Sequence, residues 1–187
     1  CARQGANIIG LNPLNVLFHD FPENASPYSS ISRLFLNPIY IDVEKVKGYK
    51  AEYLIGQEGE LEQLRKTENI DYTGVYNLKM KVLQKIYDAT FDKLEKSAVY
   101  QKFEKKNKED LECLATYQAL YSSLCHSVYG GWRAWTKELK NPQSSEVKKF
   151  RVDNRKAINF FKFLQYWAEK QLEDVQKEIE AVSYTHL

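Results

Sequence analysis

Ala6-Asn7-Ile8-Ile9-Gly10-Leu11-Asn12-Pro13-Leu14-Asn15 is the stretch on which the fold turns. Its apolar run, residues 7–11, follows a small-residue segment ending at Gly5. It reads as a buried strand after a helix end, with Gly5 as the C′ residue. Asn12-Pro13 stops the strand, because proline has no N–H for a ladder and restricts the residue before it. Residues 12–37 then form a long loop, punctuated by proline, rich in Ser, Asn and aromatics, and centred on Ser26-Pro27-Tyr28-Ser29-Ser30. Loops of that length inside a compact domain are uncommon and usually functional. Asn37-Pro38-Ile39-Tyr40-Ile41-Asp42-Val43 resumes an apolar run, as a second short strand or extended segment.

This front differs in composition from the rest. Four of the five prolines precede residue 39, and the first 43 residues carry only Arg3, Asp20, Glu23, Arg33 and Asp42 as charged side chains. The whole 187-residue chain has 27 basic and 25 acidic residues. The loop therefore offers hydroxyls, amides and aromatic faces with almost no charge. Such a surface suits a neutral polyhydroxylated ligand, held by hydrogen bonds and an apolar platform. The plainer alternative has its serines closing local turns and Tyr28 packing. Asn24-Ala25-Ser26 fits a glycosylation sequon, read as chance because no secretory leader is recognised before it.

From Tyr72 the apolar spacing becomes helical. Val75, Leu78, Val82, Ile86, Ala89 and Leu94 make one stripe. Leu111, Leu114, Ala115, Gln118, Tyr121, Cys125 and Val128 make a second, and Ala157, Phe161, Leu164, Ala168, Gln171, Val175 and Ile179 a third. Gly130-Gly131 separates the last two, and Pro142 with Ser144 and Ser145 supplies a stop and a helix start. Residues 47–71 read as a connection with a short helix near residues 58–66. Lys102, Lys105, Lys106 and Lys108 read as a solvated face, since Glu109, Asp110 and Glu112 follow at once. Phe160, Phe161, Phe163, Tyr166 and Trp167 read as core or interface.

A net charge of +2 argues against a nucleic-acid coat or a polybasic membrane anchor. No apolar run approaches the length that spans a bilayer. Cys1, Cys113 and Cys125 form an odd set without CxxC spacing, read as ordinary thiols of a cytoplasmic protein. His19, His126 and His186 share no metal spacing, so no metal site is expected. Cys125 and His126 are helix neighbours whose side chains diverge by about 100°, which disfavours a nucleophile and base pair. No GxSxG, P-loop or GxGxxG occurs. The residues by themselves yield a loop shaped for a neutral ligand and no catalytic group.

Ordered blocks then carry more than composition does. Gly10-Leu11-Asn12-Pro13-Leu14, Ala25-Ser26-Pro27-Tyr28-Ser29, Ser32-Arg33 and Phe35-Leu36-Asn37-Pro38-Ile39-Tyr40-Ile41-Asp42 closely resemble the start of the catalytic domain of bacterial 4-α-glucanotransferases. These are the amylomaltases or disproportionating enzymes, glycoside hydrolase family 77. Asp71-Tyr72, Leu78-Lys79-Met80, the stretch from Trp132 to Trp135, Ser145-Glu146-Val147 and Phe163-Leu164-Gln165-Tyr166-Trp167 extend the likeness into the family's helical insertion. Asn15 stands where the family commonly has His, and its amide replaces the imidazole there.

The resemblance implies an α/β fold: an incomplete (β/α)8 TIM barrel, its first strand and active-site loop in residues 1–46. A mostly α-helical inserted subdomain and a following barrel helix would occupy residues 47–181. Residues 182–187 are unlike the family and read as a non-native tail. The implied activity is transfer of α-1,4-glucan segments to the 4-hydroxyl of a glucan or glucose by a retaining double displacement, without metal or organic cofactor. The implied partners are α-1,4-glucans and maltooligosaccharides, with no nucleic acid and no membrane. Ser26 and Tyr28 would contact glucan, with Asn12 and Asn37 as further binding candidates that equally serve as strand-end caps. Asp42 is expected to be structural. The family's three catalytic carboxylates belong to strands after the last helix here, so no carboxylate of this chain is assigned catalysis and the chain alone is expected to be inactive. The competing readings are a free-standing helical protein-interaction module over residues 70–181 and a fragment of an α-glucan hydrolase.

Overall fold

The computed structural model describes residues 10–18, 22–124 and 131–184. Two short strands open it, β1 (Asn15–Val16) and β2 (Ser32–Leu36), paired antiparallel with Asn15 opposite Leu36 and an irregularity before Val16. Five helices follow: α1 (Glu58–Lys66), α2 (Tyr72–Glu95), α3 (Ala98–Leu124), α4 (Ser145–Asp153) and α5 (Arg155–Tyr184). The described part is thus mostly helical with a small two-stranded sheet.

The strand expected over residues 7–11 lies mostly outside the described residues. Residues 7–9 lie outside the described residues, while Gly10 and Leu11 are exposed and belong to no strand. Among the described residues, pairing begins at Asn15, beyond the proline that cannot donate to a ladder. The expected second strand over residues 37–43 is corrected: the chain coils into one-turn 3-10 helices, Pro38–Tyr40 and Val43–Lys45. Proline at the first position of the first turn fixes φ there without losing a needed donor.

The helix starts follow local capping chemistry. The Asp71 carboxylate accepts from the Gly74 N–H at 2.8 Å, and the Ser144 hydroxyl accepts from the Val147 N–H at 3.1 Å, each satisfying an otherwise orphaned donor. α1 occupies the expected span, and α5 runs through Tyr184, into the segment read as a tail. Residues 185–187, Cys125, Val128 and Gly130 lie outside the described residues.

The core sits where α2, α3 and α5 meet, and it is richer in aromatics than the apolar stripes suggested. Leu83, Tyr87 and Phe91 are buried on α2, whereas Ala89 and Ala157 are exposed. The large side chains set the helix rotation, because their area outweighs that of a methyl group. Tyr87 meets Phe163 edge-on at 5.5 Å, and Phe91 meets Tyr100 at 5.6 Å and 90°. Such pairs contribute about 0.5–1.5 kcal/mol each beyond area burial. Phe161, Phe163, Tyr166 and Trp167 are buried as expected, and Lys102, Lys105, Lys106 and Lys108 face solvent. The same core takes in Val16, Phe35, Ile41 and Val46, so the front and the helices share one interior.

One charge is drawn into the α3–α5 contact. The Lys162 ammonium, nearly buried, reaches Glu104 at 3.1 Å and Glu112 at 2.6 Å, and Arg155 holds Glu112 from the other side at 2.9 Å. Burial alone would push the Glu112 carboxyl up, but Lys162 and Arg155 more than offset it and hold it below its ordinary value.

Gly48 makes the turn that brings the front onto α2. Its φ is +99°, and an added Cβ would strike the Thr90 methyl. Gly48→Ala is expected to lower unfolding stability by about 1–3 kcal/mol in urea titration. Gly59→Ala, where a methyl meets nothing within 4 Å, should shift it the other way by about 0.5 kcal/mol.

Candidate functional site

The serine-rich loop is built around a proline turn. Ser29 N–H donates to the Ser26 carbonyl at 3.1 Å, placing Pro27 and Tyr28 at the two central positions. Proline presets φ at the first of them. Tyr28 is left 74% exposed at the tip, and Ser26 is exposed beside it. Asn12 is exposed in the chain leading to β1. Asn37 is half-buried, and its Oδ1 accepts from the Ile39 N–H at 3.1 Å. Asp42 Oδ1 accepts from the Glu44 N–H at 3.2 Å, the structural role expected of it. Asn15 is half-buried in β1.

The four sequence-derived binding candidates therefore divide. Ser26 and Tyr28 share one turn, Asn12 lies apart, and Asn37 belongs to a different groove. That groove, about 690 Å3, runs between Leu14, Leu36, Asn37 and Tyr40 on the front and Trp167, Leu172 and Val175 on α5. Asp42, Lys45, Lys170, Asp174 and Glu178 rim it.

Three side chains that the sequence did not single out hold this segment in place. Gln165 Oε1 accepts from the Leu36 N–H at 3.1 Å, and its Nε2 donates to the Leu36 carbonyl at 2.9 Å. Gln171 repeats the arrangement on Asp42, with both contacts at 2.8 Å. From α2, Lys79 Nζ donates to the carbonyls of Ile39 at 2.7 Å and Ile41 at 2.8 Å. Burial lowers the Lys79 pKa, and the Asp42 carboxylate partly offsets this. Gln165 lies in the Phe-Leu-Gln-Tyr-Trp run and Gln171 in an apolar stripe. A glutamine surrounded by rings was the available signal, since a buried amide requires partners.

Spacing explains why residues 37–43 are coiled. The two glutamines are six positions apart on a helix, about 9 Å along its axis. An extended segment of six residues would cover about 20 Å. The 3-10 turns shorten the front enough for both clamps to close.

Among the described residues, no group of three or more His, Cys, Asp or Glu side chains is placed to hold a metal ion. All three histidines lie outside those residues, and Cys113 is a free, half-buried thiol. Among the described residues, the two carboxyls whose protonation the structure shifts, Glu112 and Asp174, are both held low, Asp174 chiefly by its bond to Lys170. A general acid needs the opposite shift.

Comparison with known proteins gives this arrangement its context. The family described as 4-alpha-glucanotransferase matches residues 1–184, so the chain belongs to that family. It is 26% identical to the 4-alpha-glucanotransferase of Haemophilus influenzae over 198 residues, covering 94% of this chain and 28% of the relative. The Clostridium butyricum 4-alpha-glucanotransferase is 30% identical over 145 residues, 75% of this chain and 28% of that protein. The Chlamydia pneumoniae 4-alpha-glucanotransferase is 26% identical, over 94% of this chain and 32% of its own length. The chain thus spans about a third or less of these relatives, as a fragment of such an enzyme does.

The two glutamine clamps differ in burial, and their removal should differ in cost. Gln165 is 3% exposed, so Gln165→Ala strands a backbone donor and acceptor and should lower stability by about 2–4 kcal/mol. Gln171→Ala, where water can replace the amide, should cost about 1 kcal/mol or less. Chemical denaturation midpoints of the two variants test the contrast.

Proposed function

We propose that the chain is the N-terminal part of the catalytic domain of a 4-α-glucanotransferase, its charge-poor front forming part of the glucan path of a (β/α)8 barrel. The observation that carries this reading is the family match over residues 1–184 together with the exposed Ser26-Pro27-Tyr28 turn. Tyr28 offers a ring face to a glucose unit, and Ser26 offers a hydroxyl. Asn37 acts chiefly as the cap of its turn, and Asn12 remains a polar contact on the approach.

The chemistry proposed for the parent enzyme is a retaining transfer. One carboxylate attacks the anomeric carbon and expels the leaving glucan, whose oxygen is protonated by a second carboxyl about 5 Å away. The 4-hydroxyl of an acceptor glucan or glucose then attacks the glycosyl-enzyme and gives its proton to that second carboxylate. Loops that bind sugar and exclude water favour the acceptor over hydrolysis. The front contributes binding and shielding to this sequence, and the barrel strands beyond α5 contribute the carboxylates. The acceptor specificity that separates transfer from hydrolysis lies with those loops as a set.

An open face on α5 supports the barrel reading. Val175 and Ile179 continue the third apolar stripe into solvent, Ile179 being 61% exposed, and Leu172 is exposed beside them. The buried Trp167 indole N–H nearby has no acceptor among the described residues. A partial barrel is expected to leave such a half-core uncovered. The helical-module alternative requires residues 70–181 to fold alone, yet Val16, Phe35, Ile41 and Val46 are part of their core.

Two outcomes are expected. The 187-residue chain by itself produces no glucose from maltotriose, and turnover by the pure chain would overturn this assignment. In a protein of the relatives' full length, Tyr28→Ala lowers kcat/KM for maltotriose disproportionation about ten-fold, as loss of a ring contact does. For the open face, Val175→Ser and Ile179→Ser should each change stability of the present chain by less than about 0.5 kcal/mol. Phe163→Ala should cost about 3–5 kcal/mol in the same urea titration.

A further inference from the structure

A second surface with sugar-binding chemistry lies between the serine loop and the helical block, and it includes none of Asn12, Ser26, Tyr28 and Asn37. Phe18 and residues 29–32 form one wall of a cavity of about 710 Å3, and Tyr117, Trp132 and Arg133 stand across from them. That volume lies within the about 300–1,000 Å3 usual for small-ligand sites.

Its aromatic wall is buttressed. Trp132 is 39% exposed, the most open of the indole rings among the described residues. Its carbonyl accepts from the Trp135 N–H at 3.2 Å, and the Arg133 carbonyl accepts from Lys140 Nζ at 2.7 Å, which fixes the one-turn helix Gly131–Ala134. Beneath it Trp135 is buried against Tyr117 at 5.5 Å and Tyr121 at 6.1 Å. Trp132 and Tyr117 also line an adjoining pocket of about 230 Å3 that reaches Trp135. The Arg133 guanidinium sits over the Trp132 ring, 5.1 Å from its centroid.

The polar side matches. Ser32 Oγ is engaged by the Leu34 N–H at 3.2 Å, but among the described residues nothing is bonded to the hydroxyls of Ser29 and Ser30. Asp110 and Arg133, one of each sign, are the only charged side chains among the described lining residues. A phosphate or nucleic-acid ligand would call for a surplus of cations. Balanced charge, free hydroxyls and a supported ring suit a neutral polyol whose C–H face stacks while its hydroxyls are bonded.

We propose that this cavity is an additional α-glucan subsite, with Trp132 as the stacking platform and Ser29, Ser30, Asp110 and Arg133 as hydroxyl partners. The substrate class rests on the glucanotransferase reading, whereas the position rests on this cavity alone. It places glucan on the helical block as well as on the Tyr28 turn.

The test is a titration of the 15N-labelled 187-residue chain with maltoheptaose, reading the indole signals of Trp132, Trp135 and Trp167. The Trp132 signal is expected to move most, Trp135 less, and Trp167 not at all. Trp132→Ala should weaken binding about ten-fold or more, while Trp132→Phe, keeping a ring, should stay within about three-fold of the parent. An unchanged unfolding midpoint for Trp132→Ala ties its loss to binding. Maltoheptaose that binds without moving Trp132, or binds Trp132→Ala as it binds the parent, sinks the subsite and leaves the family reading intact. Absence of any shift at millimolar maltoheptaose also sinks it, and a β-linked cellooligosaccharide moving Trp132 equally would break its assignment to α-glucans. The family reading stands or falls separately, on maltotriose disproportionation by the full-length protein.

Discussion

Two glutamine amides and one ammonium on helices hold the backbone on which the rest of the front depends. Gln165 pairs with both backbone groups of Leu36, Gln171 with both of Asp42, and Lys79 with the carbonyls between them. Among the described residues the short sheet has two paired strands, too few for independent stability. The clamps supply what a third strand would otherwise give, a set of partners for backbone groups that leave the ladder. They also couple distant parts of the chain: the residues joined by each glutamine are 129 positions apart. The helical block is therefore no appendage to the loop. It fixes the path of residues 36–42, which in turn fixes the strand that carries the serine loop.

Much of this was legible where local chemistry decides the outcome. Ser144, Asp71 and Pro27 sit where a cap or a turn needs them, and α1 begins and ends where its charged run does. Legibility failed where tertiary contacts overrode a local pattern. An apolar run at residues 37–43 resembles a strand, but its clamp points on α5 are too close together for an extended chain. Ala89 and Ala157 fit a helical stripe by spacing, yet Tyr87, Phe91 and Ile158 take the inward positions because they bury more area. The binding candidates were recognised by block order, and the structure then separated them. Ser26 and Tyr28 form one exposed turn, while Asn37 closes a turn of its own. Trp132 was legible as part of a family block, but its meeting with Tyr117 and the serine loop was not, because the side chains facing it arrive from a loop about a hundred residues earlier.

The groove along α5 and the cavity beside Trp132 differ in chemistry. They share no lining residue. One is an apolar trough along α5 with charges on its rim. The other combines rings, serines and one charge of each sign, which suits sugar. The near-zero net charge of the whole chain hides this division. Most of its charges lie on helix exteriors, and in the Lys162 cluster Lys162 and Arg155 balance Glu104 and Glu112. Ligand specificity here follows from where charge has been left out. A charge-poor front held by amides and one ammonium presents hydroxyls and rings with little electrostatic field to favour an anion, and it is on this surface that the proposed glucan reading rests.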